Sequence, residues 1–391
     1  MSAATEAKRI RAWLQDEARD LNARDLVAAF CGQIETAGVR IDRLSIHLRH
    51  LHPLFLAHGY VWESETRETY EVRREHGVQF TEEYLKSPVR IAYEEGRTVR
   101  YPLEGQTALP FDLLGGLRDR GFTEYVMFPL FFRRGTNQAC SISTKLPGGF
   151  TDDCIELMQA VLPTLTIQLE LLLLESTAGV LLDTYMGPRA GRKVLAGQIT
   201  RGDTQTIPAV LWYCDLRGFT SLTEKRGAED VVEVLNAYFQ AMAAPVEEAG
   251  GEILKFIGDA MLAIWPLPER RHQATATTEV AIAASEEAVA NMDAVNAERE
   301  KAGETPLGYG LALHIGDVLW GNIGAADRLD FTVIGPAVNL VARLDDVARE
   351  LGESLVFSEV FHETSSRVFD LIGAYPLKGI ANPQNIYRLK V

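Results

Sequence analysis

The fold class read from the sequence is α+β, with an α/β first domain before a ferredoxin-like second one, and three observations predict it. The chain has 391 residues, too many for one ordinary domain and enough for two. Its apolar residues make up 47%, so each half can bury its own core. The hydrophobic period also changes repeatedly along the chain, between the alternation of strands and the three-to-four spacing of helices.

The elements follow in order. Residues 5–37 read as two helices, with Asn22 capping the second and Gly38 ending it. Residues 40–48 alternate as a strand, and 59–63 and 69–75 read as two more. Residues 87–96 and 111–121 predict helices. Two apolar strands follow at 124–132 and 139–146. Thr151, with Asp152 and Asp153 behind it, caps a long helix. Met158, Leu162, Leu165, Leu169 and Leu172 form an apolar stripe on it. The stripe fits either packing on its own domain or a parallel dimer helix. Residues 176–205 read as a connector.

In the second half, 208–216 predicts a strand and 228–250 a helix. Residues 251–265 form a hairpin with its turn at Gly258-Asp259. An Ala-rich helix runs to about Lys301, and 309–324 reads as another hairpin. A strand at 330–335, a helix at 337–351 and a β-rich end complete the chain. This β-α-β-β-α-β order predicts a ferredoxin-like layer of helices over an antiparallel sheet.

Composition narrows the function. A net charge of −15 argues against a broad nucleic-acid surface, yet leaves room for a small anionic substrate held by a few local cations. Cys31, Cys140, Cys154 and Cys214 are scattered, which predicts neither a metal knot nor a disulfide framework and fits a reducing cytoplasm. The charged N-terminus is unlike a signal peptide. The apolar run 157–174 is interrupted by Gln159, Pro163, Gln168 and Glu170, so no membrane span is expected. His47, His50, His52 and His58 match no metal-ligand spacing and read as ordinary surface or core histidines. Trp62, Tyr70, Phe128 and Phe131 read as core rather than as a ligand pocket.

The acidic pair carries the chemistry. Asp215 ends an apolar strand, and Asp259 lies in a tight turn. If the two strands are neighbours, both carboxylates emerge at one sheet end, where they must share a proton or bind a hard divalent cation. Each aspartate alone is more often a turn former.

Longer patterns surround both. D-L-R-G-F-T (215–220), K-F-I-G-D (255–259) and T-V-I-G-P-A-V-N-L-V-A-R (332–343) resemble the signature segments of class III nucleotidyl cyclases. H-x-G-x-x-x-x-G-N-I-G (314–324) supports them. The resemblance covers about 206–391. The order of elements over 20–175 resembles, more loosely, a GAF-type sensory domain. The expected division is therefore a GAF-like domain at 1–175 with its N-terminal helices, a helical connector at 176–205 and a cyclase domain at 206–391.

What the resemblance implies is specific. Asp215, Asp259 and the backbone carbonyl of Leu216 would hold two Mg²⁺ or Mn²⁺ ions for an in-line displacement at the α-phosphorus. The backbone from Gly218 through Phe219 and Thr220 would cradle phosphates. Lys255 would donate to adenine N1 and Thr332 would accept from the exocyclic amine, which favours ATP. Asn339 would orient the ribose, and Arg343 would bear on transition-state charge. Lys378 would contact a β- or γ-phosphate. His314 is expected to pack rather than act as an acid or base. The implied activity is formation of cyclic AMP and pyrophosphate in a homodimer, under an unidentified small-molecule or protein signal at the N-terminal domain. The alternatives are a guanylate cyclase and a catalytically degenerate nucleotide-binding module. A diguanylate cyclase is excluded by the lack of a G-G-D/E-E-F segment.

Overall fold

In the computed structural model the chain divides into two units, Met1–Leu181 and Leu182–Val391. The structure describes residues 2–135, 137–219, 223–224, 227–268 and 271–390.

The first unit begins with α1 (Ala3–Gln15) and α2 (Ala23–Thr36). The Asn22 side chain accepts from the Asp25 N–H at 2.9 Å and so caps α2. Six strands follow: β1 (Arg43–Arg49), β2 (Phe55–Glu63), β3 (Glu68–Glu75), β4 (Val99–Pro102), β5 (Glu124–Phe131) and β6 (Asn137–Thr144). They form one sheet in the order β3-β2-β1-β6-β5-β4, each pair antiparallel. The sequence reading missed β4, which is four residues long. The helix expected at 87–96 is present only as two short turns, Pro88–Arg90 and Ile91–Glu95. A helix α3 (Asp112–Asp119) precedes β5.

A long helix, α4 (Asp152–Met186), closes this unit. Thr151 accepts from the Cys154 N–H at 3.3 Å, as an N-cap does. Met158, Leu162, Leu165 and Leu169 are buried with Ile10, Leu14, Phe30 and Ile34 of the N-terminal helices and Leu44, Ile46 and Leu48 of β1. The stripe thus packs on its own domain. This also accounts for the apolar run at 157–174: α4 is long and apolar enough to cross a membrane by composition, and its buried residues are those of the unit's core.

The second unit opens inside the expected connector with the end of α4 and with α5 (Pro188–Leu195), whose Ala190 is buried in the unit's core. Then come β7 (Thr204–Arg217), α6 (Ala228–Glu248), β8 (Glu252–Ile257), β9 (Ala260–Pro266) and α7 (Arg271–Lys301). β10 (Gly308–Gly324), β11 (Leu329–Ile334), α8 (Pro336–Leu351), β12 (Leu355–Ser358), α9 (Glu359–Thr364), β13 (Phe369–Tyr375) and β14 (Gln384–Leu389) complete it. The sheet runs β13-β14-β12-β10-β7-β9-β8, with β11 paired to β10.

Two features depart from expectation. The segment 309–324 is one strand rather than a hairpin, and it pairs with β7 in unbroken register from Gly308–Arg217 to Gly321–Thr204. Its glycine at 316 serves close packing, since a Cβ there would lie 2.6 Å from the Ala337 Cβ. The helices also occupy both faces of the sheet. Val210, Trp212 and Cys214 pack with Tyr238 and Met242 of α6 and with α7, whereas Ala209 and Leu211 pack with Val341 and Leu344 of α8. A strand apolar on both sides needs cover on both. The sheet is mixed, because β10 and β12 run parallel.

Candidate functional site

β7 ends at a sheet edge where β9 begins. Asp215 is opposite Ala260, so Asp259, in the turn just before it, comes beside Asp215. Gly258 takes φ +66°, the left-handed conformation that this tight turn requires. The two carboxyls interact directly. Burial pushes the Asp259 pKa upward, and the charge of Asp215 pushes it further. Leu216 is buried beside them, and Phe219 packs against the core under α6. Thr220 lies outside the described residues.

A third acid joins this end of the sheet. Asp345 of α8 is 1% exposed, and its Oδ1 has no hydrogen-bond partner. Its space comes from Gly310 of β10, opposite Asp215, where a Cβ would clash with the Asp345 carboxyl at 1.9 Å. Burial pushes the Asp345 carboxyl up to about 7, with Asp215 adding to the effect. Arg349 meets this charge, donating to Asp215 at 2.5 Å and lying 3.5 Å from Asp345, and Arg217 also acts on Asp345. The motif reading singled out neither Asp345 nor Arg349. Their only local signal is an acid and a base four apart on one helix face.

This donor set fits hard cations. Close carboxylates of like charge raise one another's pKa when no cation lies between them. Oxygen donors of this kind are what Mg²⁺ and Mn²⁺ take. Among the described residues, no group of three or more His, Cys, Asp or Glu side chains forms a metal cage.

A second cluster lies where β8 approaches β11. Lys255 is ion-paired with Asp330 at 2.5 Å. Asp330 and Thr332 are two apart on β11 and so share a face. Thr332 is 4% exposed, and its hydroxyl has no hydrogen-bond partner. Asp330 was absent from the sequence reading, because an acid just before the motif looks like an ordinary strand start.

The other expected residues are more open. Asn339 is exposed on the first turns of α8. Arg343, half-exposed, pairs with Asp346 at 2.9 Å. Lys378 lies in an exposed turn after the buried Leu377. His314 is buried against Ser358, 2.9 Å from its hydroxyl, and burial pushes its pKa down to about 4. It is a packing residue of β10.

The second unit is similar in sequence to known nucleotide cyclases. The family of adenylate and guanylate cyclase catalytic domains matches residues 204–390. An adenylate cyclase of Anabaena cylindrica is 32% identical over 162 residues, which are 40% of this chain and 31% of that protein. Adenylate cyclase 1 of Rhizobium meliloti (strain 1021) is 29% identical over 181 residues, 45% of this chain and 26% of that protein. Among solved structures, the guanylyl cyclase Cya2 is 30% identical, with 48% of this chain and 93% of that one covered at a TM-score of 0.42. The chain spans less than a third of the length of the curated relatives it matches first. With the acidic sheet end and the signature segments in one fold, residues 204–390 are a class III catalytic domain of the adenylate and guanylate cyclase family.

Proposed function

We propose that this domain is an adenylate cyclase, converting ATP to 3′,5′-cyclic AMP and pyrophosphate. The observation that carries the choice of base is the buried, unpartnered hydroxyl of Thr332 beside the Lys255–Asp330 pair. A buried hydroxyl without a partner costs stability unless a ligand satisfies it. It can accept from the exocyclic amine of adenine, while Lys255 donates to N1. Asp330 favours one competing reading. A carboxylate in the same patch can accept from the N1–H and amine of guanine, as a guanylate cyclase requires. Product analysis with ATP and GTP as parallel substrates decides between them: a kcat/KM at least about tenfold higher for ATP supports the adenylate reading, and the reverse ratio overturns it.

Two divalent ions at Asp215, Asp259 and the Leu216 carbonyl would, when bound, activate the ribose 3′-hydroxyl and hold the triphosphate. The chain's own residues do the rest. Asp215 and Asp259 would hold those ions at the end of β7, and the backbone N–H groups that follow Gly218 would meet phosphate. Arg343 neutralises charge developing at the α-phosphoryl group, Asn339 orients the ribose and Lys378 meets the outer phosphates.

The site we propose is shared between two copies of the chain. Arg343 is engaged with Asp346, whereas Arg349 is the arginine at Asp215, which supports a role for Asn339 and Arg343 in the partner's site. Asp215→Ala and Arg343→Ala chains should each be nearly inactive. Mixed dimers should recover up to about half the activity, because one of their two sites inherits neither lesion. Mixed dimers as inactive as the parents would refute the shared site. The first unit is proposed as a GAF-like input domain that sets catalytic output.

A further inference from the structure

The two faces of the first unit's sheet are unlike. One carries Leu44, Ile46 and Leu48 and packs on the helices. The other is polar, although it too is buried. On β1 it presents Arg43, Ser45 and His47. Across the ladder, Ser141 is opposite Ser45, and Ser143 is opposite both Arg43 and Tyr125. Ser45, Ser141 and Tyr125 are each no more than 1% exposed. A sheet face of this kind is ordinarily either apolar or wet.

This face floors a cavity of about 410 Å³. That is the size of a small-molecule site. The segment from Val78 to Tyr93 and the start of α3 at Asp112 and Leu113 cover it; Leu56, Val61, Val72, Val78 and Val89 make much of its lining apolar, and Glu82, Glu83 and Asp112 also line it. At the floor the hydrogen-bonding groups are unspent. The Tyr125 and Ser141 hydroxyls face each other and neither has another partner, and the Arg43 Nε is held only by its ion pair with Glu63. Buried hydroxyls are almost always paired, so two hydroxyls with no further partner at one cavity floor point to an occupant.

The charges say what kind. Arg49 is spent on Tyr84 and the Tyr93 ring, Arg74 faces Glu83, and Lys86 is paired with Glu82. Arg43 is held more weakly: its partner Glu63 is 3.5 Å away and also receives Arg120 at 2.9 Å. Burial and the nearby Arg43 and Arg74 push His47 down to about 3, so its ring is neutral and bonds as an amphoteric group to Ser45. The floor is therefore locally positive and rich in neutral donors, beneath a largely apolar cover whose Glu82 and Glu83 are engaged by Lys86 and Arg74.

We propose that this cavity binds an amphipathic monocarboxylate, its apolar body against the valine and leucine walls and its carboxylate received by Arg43, Tyr125 and Ser141. The site is independent of the cyclase chemistry. The test is calorimetric titration of the full chain with 2-naphthoate, and with 2-naphthamide as the uncharged counterpart. One equivalent of naphthoate should bind, at least about fivefold more tightly than the amide. Tyr125→Phe and Ser141→Ala should each weaken it roughly fivefold while the ligand-free melting temperature holds or rises. Ala57→Phe, which fills the cavity, should abolish binding. No binding up to about 1 mM, about 4 kcal/mol of affinity, would overturn the proposal. So would equal affinity for the amide, a comparison that needs no variant, or binding indifferent to all three substitutions.

Discussion

Tyr125 in the first unit and Thr332 in the second share a problem with different settings. Each hydroxyl is buried in a sheet and each lacks a partner. Thr332 stands near an ion pair, Lys255–Asp330, in a domain whose family is known. Tyr125 stands under a cavity whose floor carries Arg43, Ser45, His47 and Ser141, its acids Glu82, Glu83 and Asp112 lying on the cover. The pair teaches that an unsatisfied buried group marks a site only together with its surroundings. At β11 the neighbours present a mixed donor and acceptor edge, suited to a nucleobase. At the first sheet they present cation and hydroxyls, suited to a carboxylate.

The largest effect should come from the acidic end of β7, which has no counterpart in the first unit. Asp215→Ala or Asp259→Ala should lower cyclic nucleotide formation at least about a hundredfold, the loss of some 3 kcal/mol of transition-state stabilisation. Melting temperature in chelator should hold or rise for Asp259→Ala, since the change removes a repelled carboxyl. Activity retained by either folded variant would remove the acidic pair from the mechanism.

Exchange of the base edge should come next. Lys255→Glu with Thr332→Cys should lower kcat/KM for ATP roughly tenfold to a hundredfold and raise the GTP-to-ATP ratio, because donors and acceptors at that edge are reversed. An unchanged ratio would mean that β8 and β11 do not read the base, and the likeness between Thr332 and Tyr125 would then lose its functional side.

These residues were legible because each motif is contiguous: D-L-R-G-F-T, K-F-I-G-D and the segment from Thr332 to Arg343 need no fold to be seen. Asp345, Arg349 and Asp330 were not, because only strand pairing and the packing of α8 bring them to Asp215 and Lys255. The hairpin expected at 309–324 failed for a related reason. Gly310 and Gly316 are needed for close contact with α8, and a sequence shows only that glycine permits a turn. In the first unit the polar face is drawn from alternate residues of β1, β5 and β6, spread from Arg43 to Ser143. Local alternation at 40–48 was visible, but whether its polar side meets solvent depends on the cover from Val78 to Leu113.

A pH effect of intermediate size should separate the two units. The native pKa of Asp345 is pushed up to about 7, against about 3.9 for a free Asp. Between those values the native state binds more protons than the unfolded chain. Stability should therefore fall as pH rises from about 4 to about 7, by up to about 1.4 kcal/mol per unit. Asp345→Asn should flatten that slope in the metal-free protein. Denaturant melts of the second unit's transition from pH 4 to 8 measure it, and an identical slope in the variant would show Asp345 ionised without cost.

The smallest effect tests the comparison itself. Thr332→Val and Tyr125→Phe each remove one hydroxyl and leave nearly the same shape. Where a buried hydroxyl is hydrogen-bonded within the protein, its loss costs about 1 kcal/mol and strands its partner. Where it has no partner, its loss removes a desolvated polar atom, and stability should hold or rise by up to about 1 kcal/mol. Both variants, without ligand, should fall in the second class, while each loses affinity for its own ligand, ATP or naphthoate. Equilibrium unfolding in urea, with and without ligand, gives both quantities on one protein. If Thr332→Val is neutral and Tyr125→Phe costs 1 kcal/mol or more, the Tyr125 hydroxyl is satisfied internally by Ser141, and the first unit's cavity loses the feature that made it resemble the nucleobase edge.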